Sequence, residues 1–159
     1  MTTTKQEKKR GAFDFNYYYD SMCVLKDLSP VSAIKANIGK GIIDICVDSL
    51  KYPDWAPMLE SIKINRNLRF YSFKSKLGSK EQKSVSKASF LNYPSIVTAL
   101  CSSLKDTLSI SSELRFLEFQ NIPLSSEDID LLKYGISRNC SLNHLSLDGC
   151  LIGDKLCKS

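Results

Sequence analysis

The chain of 159 residues contains one histidine, His144, and one tryptophan, Trp55. Imidazole is the most frequent general base and metal ligand, so a lone histidine leaves little material for a zinc site or a nucleophile–base pair. Cysteine is not scarce, with six at positions 23, 46, 101, 140, 150 and 157, but no two form a C-x-x-C pair. The first ten residues hold no apolar stretch of the kind a secretion signal needs, which points to a reducing compartment and structural thiols. No apolar run approaches the ~20 residues of a membrane-spanning helix. Glycine is sparse, and the close pair Gly39 and Gly41 precedes a strand-like run instead of following one, the reverse of a phosphate-cradling loop. Gly-x-Ser-x-Gly and paired-carboxylate spacings are also missing. The expectation is a non-enzyme with no catalytic residue, metal or cofactor.

Charge of one sign is not concentrated either. The formal excess is +5, divided between Lys5, Lys8, Lys9 and Arg10, five lysines from Lys74 to Lys87, and isolated positions. These basic stretches lack interleaved aromatics, so they read as solvated faces and not as a nucleic-acid surface.

What the sequence does have is a repeated phrase. Leu114, Leu117, Phe119, Ile122 and Leu124 are echoed with the same internal spacing by Leu142, Leu145, Leu147, Cys150 and Ile152, 28 residues later. A third copy runs from Ile43 through Ile45 and Asp48 to Leu50, and Phe73, ending Leu68-x-x-Tyr71-x-Phe73, lies 28 residues beyond Ile45. The pattern L-x-x-L-x-L-x-x-N/C-x-L is that of a leucine-rich repeat, in which a short strand points its apolar residues into a solenoid and a helix returns the chain. A 28-residue period leaves room for that helix and predicts an α/β, ribonuclease-inhibitor-like solenoid. Strands are predicted near 43–46, 70–74, 116–120 and 144–148. Alternation predicts Leu117, Phe119, Leu145 and Leu147 buried, with Glu118 and Ser146 facing solvent.

In chain order, residues 1–12 read as a disordered tail and 13–159 as the repeat domain. Phe13 to Leu28 reads as an aromatic-rich amphipathic helix capping the solenoid's open end. Ser29-Pro30 reads as a helix start, with the helix running to Ile38 and Gly39 and Gly41 closing it. Asp54 is the predicted cap of a helix through Ile64, although Ile62-Lys63-Ile64 also alternates as a strand would. Residues 75–92, rich in lysine and serine, read as a flexible insertion. Helices are predicted over 94–108 and, after Ser125, through Ile136. Strand 144–148 has no helix after it, so the chain reads as truncated at the C-terminus, with self-association predicted through the open end.

Several stretches together resemble the centrosomal protein of 78 kDa family: Asp54-Trp55-Ala56-Pro57-Met58-Leu59, Ile62-Lys63-Ile64-Asn65, Ser72-Phe73-Lys74-Ser75, Leu108-Ser109-Ile110-Ser111-Ser112, His144-Leu145-Ser146-Leu147 and Ile152-Gly153-Asp154. The resemblance implies a scaffold in the cytoplasm, at the centrosome or centriole and the ciliary base, supporting cilium assembly, with centriolar and ubiquitin-ligase components as protein partners. From the residues themselves, the candidate partner-binding positions are the x positions of the repeat on its concave face. These are Asp44, Ser72, Glu118 (or Arg115), Gln120, Asn143, His144, Ser146 and Asp148. The competing reading is a leucine-rich-repeat inhibitor or adaptor that holds a soluble cytosolic enzyme against the same face.

Overall fold

The computed structural model describes residues 4–76 and 93–150. Four strands, β1 (Ile42–Cys46), β2 (Phe70–Lys74), β3 (Phe116–Gln120) and β4 (His144–Ser146), form one parallel sheet in sequential order. The register pairs Ile42 with Phe70, Phe70 with Phe116 and Phe116 with His144, so the paired residues are 28, 46 and 28 positions apart. Parallel strands cannot be joined by tight turns, and each crossover carries a helix. These are α4 (Trp55–Ile64), α5 (Pro94–Ile110) and α6 (Ser126–Ser137), with α5 packed between α4 and α6. The molecule is therefore α/β.

Alternation decides which side of each strand meets the helices. Ile43, Ile45, Tyr71, Phe73, Leu117 and Phe119 are all at most 3% exposed and share one cluster with Met58, Ile62, Leu100, Leu104 and Leu132 of the helices. Burying each such side chain contributes about 1.5–3 kcal/mol relative to leaving it in water. The predicted burial holds for Leu117 and Phe119. It does not hold for Leu145, which is 43% exposed, and Leu147 is only half-buried. The reason is positional: β4 is short, lies at the edge of the sheet and is paired on one side only among the described residues.

The helix-to-strand junctions repeat a device that the apolar pattern does not show. Asn65 Oδ1 accepts from the backbone N–H groups of Asn67 and Leu68, Ser111 Oγ from those of Glu113 and Leu114, and Asn139 Oδ1 from those of Ser141 and Leu142. In each turn a short polar side chain stands in for a backbone acceptor. Adjacent turns are laced together: Ser111 Oγ donates to the Arg66 carbonyl at 3.2 Å, and Asn139 Nδ2 donates to the Leu108 and Ser111 carbonyls at 2.9 and 3.2 Å.

The N-terminal segment departs from the expected tail. Lys5–Gly11 is a helix, α1, because Thr4 and Glu7 form a reciprocal capping box and Lys8, Lys9 and Arg10 sit in its last turn, where cations suit the helix dipole. Its end is tied down where the Ala12 carbonyl accepts from Arg66 N at 2.7 Å and the Phe13 carbonyl accepts from Asn67 Nδ2 at 2.8 Å. The expected capping helix is α2 (Phe15–Leu25), started by Asp14 accepting from Tyr17 N, with Phe15, Tyr19 and Cys23 in the core cluster and its contacts made chiefly to α4. The helix expected from Ser29-Pro30 shrinks to α3 (Ser32–Lys35) followed by a 3-10 turn, Ile38–Lys40. Ser29 makes no cap there, and of the two glycines only Gly41 takes the left-handed conformation, at φ 78°. Ile62-Lys63-Ile64 is helical, and Asp54 holds the expected N-cap position of that helix, though its carboxylate accepts from Lys51 N in the preceding 3-10 turn instead of from the helix it precedes. The body of the expected insertion, 77–92, lies outside the described residues, as do 1–3, Leu151 and Ile152. Ser75, at the start of that expected insertion, is buried and donates to Asp48 Oδ1 at 2.8 Å.

Candidate functional site

Because Ile43, Ile45 and their partners face the helices, the intervening residues face the other way, and the register lines them up in rows across the sheet. One row runs Asp44, Ser72, Glu118, Ser146. Four of the predicted contact residues therefore fall side by side. Gln120 belongs to the next row, beside Lys74, itself paired with Cys46, and His144 ends the row Ile42, Phe70, Phe116, His144. Asp148 lies past the end of β4, exposed, with its carbonyl accepting from Asn121 N at 3.0 Å.

Ser72 is a correction. It was expected to offer its hydroxyl to a partner, but it is fully buried within the row and donates to Glu118 Oε1 at 2.9 Å. A small side chain in register between two longer acids, Asp44 and Glu118, is the one of the three withdrawn from water, and its bond orients the Glu118 carboxylate. Asp44 and Glu118 are bridged from the adjacent row by Lys74 Nζ at 3.5 and 3.8 Å. With all three side chains partly open to water, each pair contributes about 0.2–1 kcal/mol, so the arrangement fixes geometry more than stability.

The row that sequence reading passed over is aromatic. The Phe70 and Phe116 rings stack with centroids 4.2 Å apart and planes within 2°, and the His144 imidazole continues the stack on Phe116 at 4.3 Å and 4°. Phe70 and Phe116 are half-buried and His144 is exposed. Flat, rigid, partly wet rings beside a fixed pair of carboxylates combine an apolar anchor with polar orientation, the chemistry of a protein-contact surface. The signal was available: Phe70 and Phe116 stand two places before Ser72 and Glu118, an outward position in the repeat occupied by apolar residues.

The remaining polar chemistry is muted by burial. Desolvation pushes the thiols of Cys23, Cys101 and Cys150 up from their ordinary range, and Cys150 Sγ faces the Phe119 carbonyl at 3.4 Å. A thiol held neutral is a poor nucleophile and a poor metal ligand. Tyr19 is raised too, chiefly by desolvation, while its hydroxyl accepts from Val31 N at 3.0 Å. Among the described residues no group of three His, Cys, Asp or Glu side chains is placed to hold a metal ion, and no helix is long and apolar enough to cross a membrane.

These features define a class first: an α/β protein whose parallel sheet is backed by helices on one face and presents aligned side chains on the other. The chain belongs to the centrosomal protein of 78 kDa family. It is 36% identical to the human centrosomal protein of 78 kDa over 162 aligned positions, covering 97% of this chain and 24% of that protein. The mouse protein of the same name is 34% identical, with 97% of this chain and 21% of the relative covered. That of Xenopus tropicalis is 31% identical, with 86% and 20% covered. The chain thus spans between a fifth and a quarter of the length of these relatives. No family model matches the sequence, and no solved structure matches it.

Proposed function

We propose that this chain is a non-catalytic protein-interaction segment of leucine-rich-repeat type that works in the cytoplasm at the centrosome, with centriolar and ubiquitin-ligase components as its partners and cilium assembly at the ciliary base as the process it serves. The observation that carries the reading is the pair of rows on the outward sheet face, stacked Phe70, Phe116 and His144 beside Asp44, Lys74 and Glu118. The family's centrosomal name supports the location, and the 28-residue register spacing supports the repeat. The lone imidazole is stacked on a phenyl ring and not hydrogen-bonded to a nucleophile among the described residues, in keeping with a binding surface.

Proximity labelling in ciliated cells tests it. The chain fused to a labelling enzyme should return centriolar proteins, and Phe70→Ser with Phe116→Ser, or separately Lys74→Glu, should lose them while thermal melts show a folded protein. An unchanged protein set in both variants, or a single dominant soluble enzyme in place of centriolar proteins, would overturn the proposal.

A further inference from the structure

A second surface, sharing no residue with the sheet rows, lies where α1 meets the end of α4 and of α5. A cleft of about 500 Å³ opens there, walled by Lys5, Lys8 and Lys9 from α1 and by Lys63 and Arg66 at the end of α4, with Asp106 the one carboxylate lining it among the described residues. Lys5, Lys8 and Lys9 follow the spacing that places side chains on one face of a helix. Fixing the end of α1 by the Ala12 carbonyl on Arg66 N turns that face toward the second basic group. None of Lys5, Lys8, Lys9 or Arg66 has an ion pair among the described residues, Lys63 has only Glu60 at 3.9 Å, and Asp106 is already engaged by Lys105 at 3.8 Å. The cleft is not purely polar. Ile64 and Ile110 contribute to it, and Ile110 is 36% exposed although it ends a helix whose other aliphatics are core.

Gathering five cations around apolar surface works against the fold, because like charges repel and the isoleucine stays wet. Both penalties are relieved by the same kind of guest. We propose that the α1–α4–α5 cleft is a docking site for an acidic protein segment that carries at least one aliphatic side chain, with its carboxylates answering the lysines and arginine and its aliphatic group covering Ile64 and Ile110. Charge complementarity fixes the sign of the guest. The composition of the cleft distinguishes a peptide from a nucleic acid, since among the described residues no aromatic lines it to stack a base and a carboxylate lies within it. This surface is separate from the sheet rows, so a chain could hold two partners at once.

The test is fluorescence anisotropy of the full chain with a short labelled peptide of glutamates interrupted by leucine and isoleucine, in low salt and then with salt added. Three comparison probes are the same peptide with glutamine for glutamate, the same peptide with serine for its aliphatics, and a short labelled oligothymidylate. The acidic aliphatic peptide should bind best and weaken as salt rises. Lys8→Gln with Arg66→Gln, and separately Lys5→Gln with Lys9→Gln, should weaken it by up to about fivefold per charge removed. Lys74→Gln on the sheet face should leave it unchanged, which separates this site from the proposed centrosomal contact surface. Equal binding of the glutamine peptide, indifference to both cleft variants, or tighter binding of the oligothymidylate would overturn the proposal.

Discussion

Replacing Asn139 by alanine should destabilise the fold out of proportion to the size of the side chain. Asn139 Oδ1 accepts from the backbone of Ser141 at 2.9 Å and of Leu142 at 2.7 Å, and its Nδ2 donates to the carbonyls of Leu108 and Ser111. Alanine abolishes these four bonds and a fifth, from Ser141 Oγ to Asn139 Oδ1 at 3.3 Å, removes no core volume and leaves the Ser141 backbone, in a residue only 4% exposed, without its acceptor. A typical hydrogen bond contributes about 0.5–1.5 kcal/mol net, but Asn139 is itself half-buried and water can replace part of the loss, which sets the expected cost at about 2–3 kcal/mol. For a chain of this size that corresponds to a drop in Tm of about 4–12 °C. Urea denaturation followed by circular dichroism is the assay. The midpoint should fall with the slope unchanged, because the surface exposed on unfolding is the same. Asn143→Ala, at an exposed position four residues on, serves as the control and should stay within about 0.5 kcal/mol. A cost below that level for Asn139→Ala would refute the view that these polar turns join successive strand–helix units.

Three other substitutions probe packing. Leu117 and Leu145 are register partners, one fully buried and the other 43% exposed. In denaturant melts Leu117→Ala should cost about 2–5 kcal/mol and Leu145→Ala less than half as much, and equal costs would mean that β4 is as deeply packed as β3. Gly135→Ala would ordinarily strengthen a helix by about 1 kcal/mol, but a Cβ there would stand 2.9 Å from Lys105 Cα and 3.0 Å from Leu108 Cδ1. The clash is with backbone on the neighbouring α5, so the measured Tm should fall, and a rise would show that α5 and α6 can separate at little cost.

The sequence by itself located the four strands and the helices between them, because both signals are local. Leu117 and Phe119 alternate with Glu118 whatever the rest of the chain does, and Ser125 with Asp128 builds a capping box from residues three apart. The 28-residue echo then said that these units are equivalent and which of their residues share a row, which is why Asp44, Glu118 and Ser146 were legible as neighbours. Only the tertiary structure decided what each row became. Ser72 is buried because the side chains on either side of it close over it, and Phe70 and Phe116 stack because pairing brings residues 46 positions apart into register. Likewise, Lys5, Lys8 and Lys9 look like solvated tail charges until the Ala12 carbonyl meets the Arg66 N–H and sets them opposite a second basic group. Local periodicity carries secondary structure, whereas exposure and electrostatic neighbourhood depend on which distant residues arrive, and no short-range pattern encodes that.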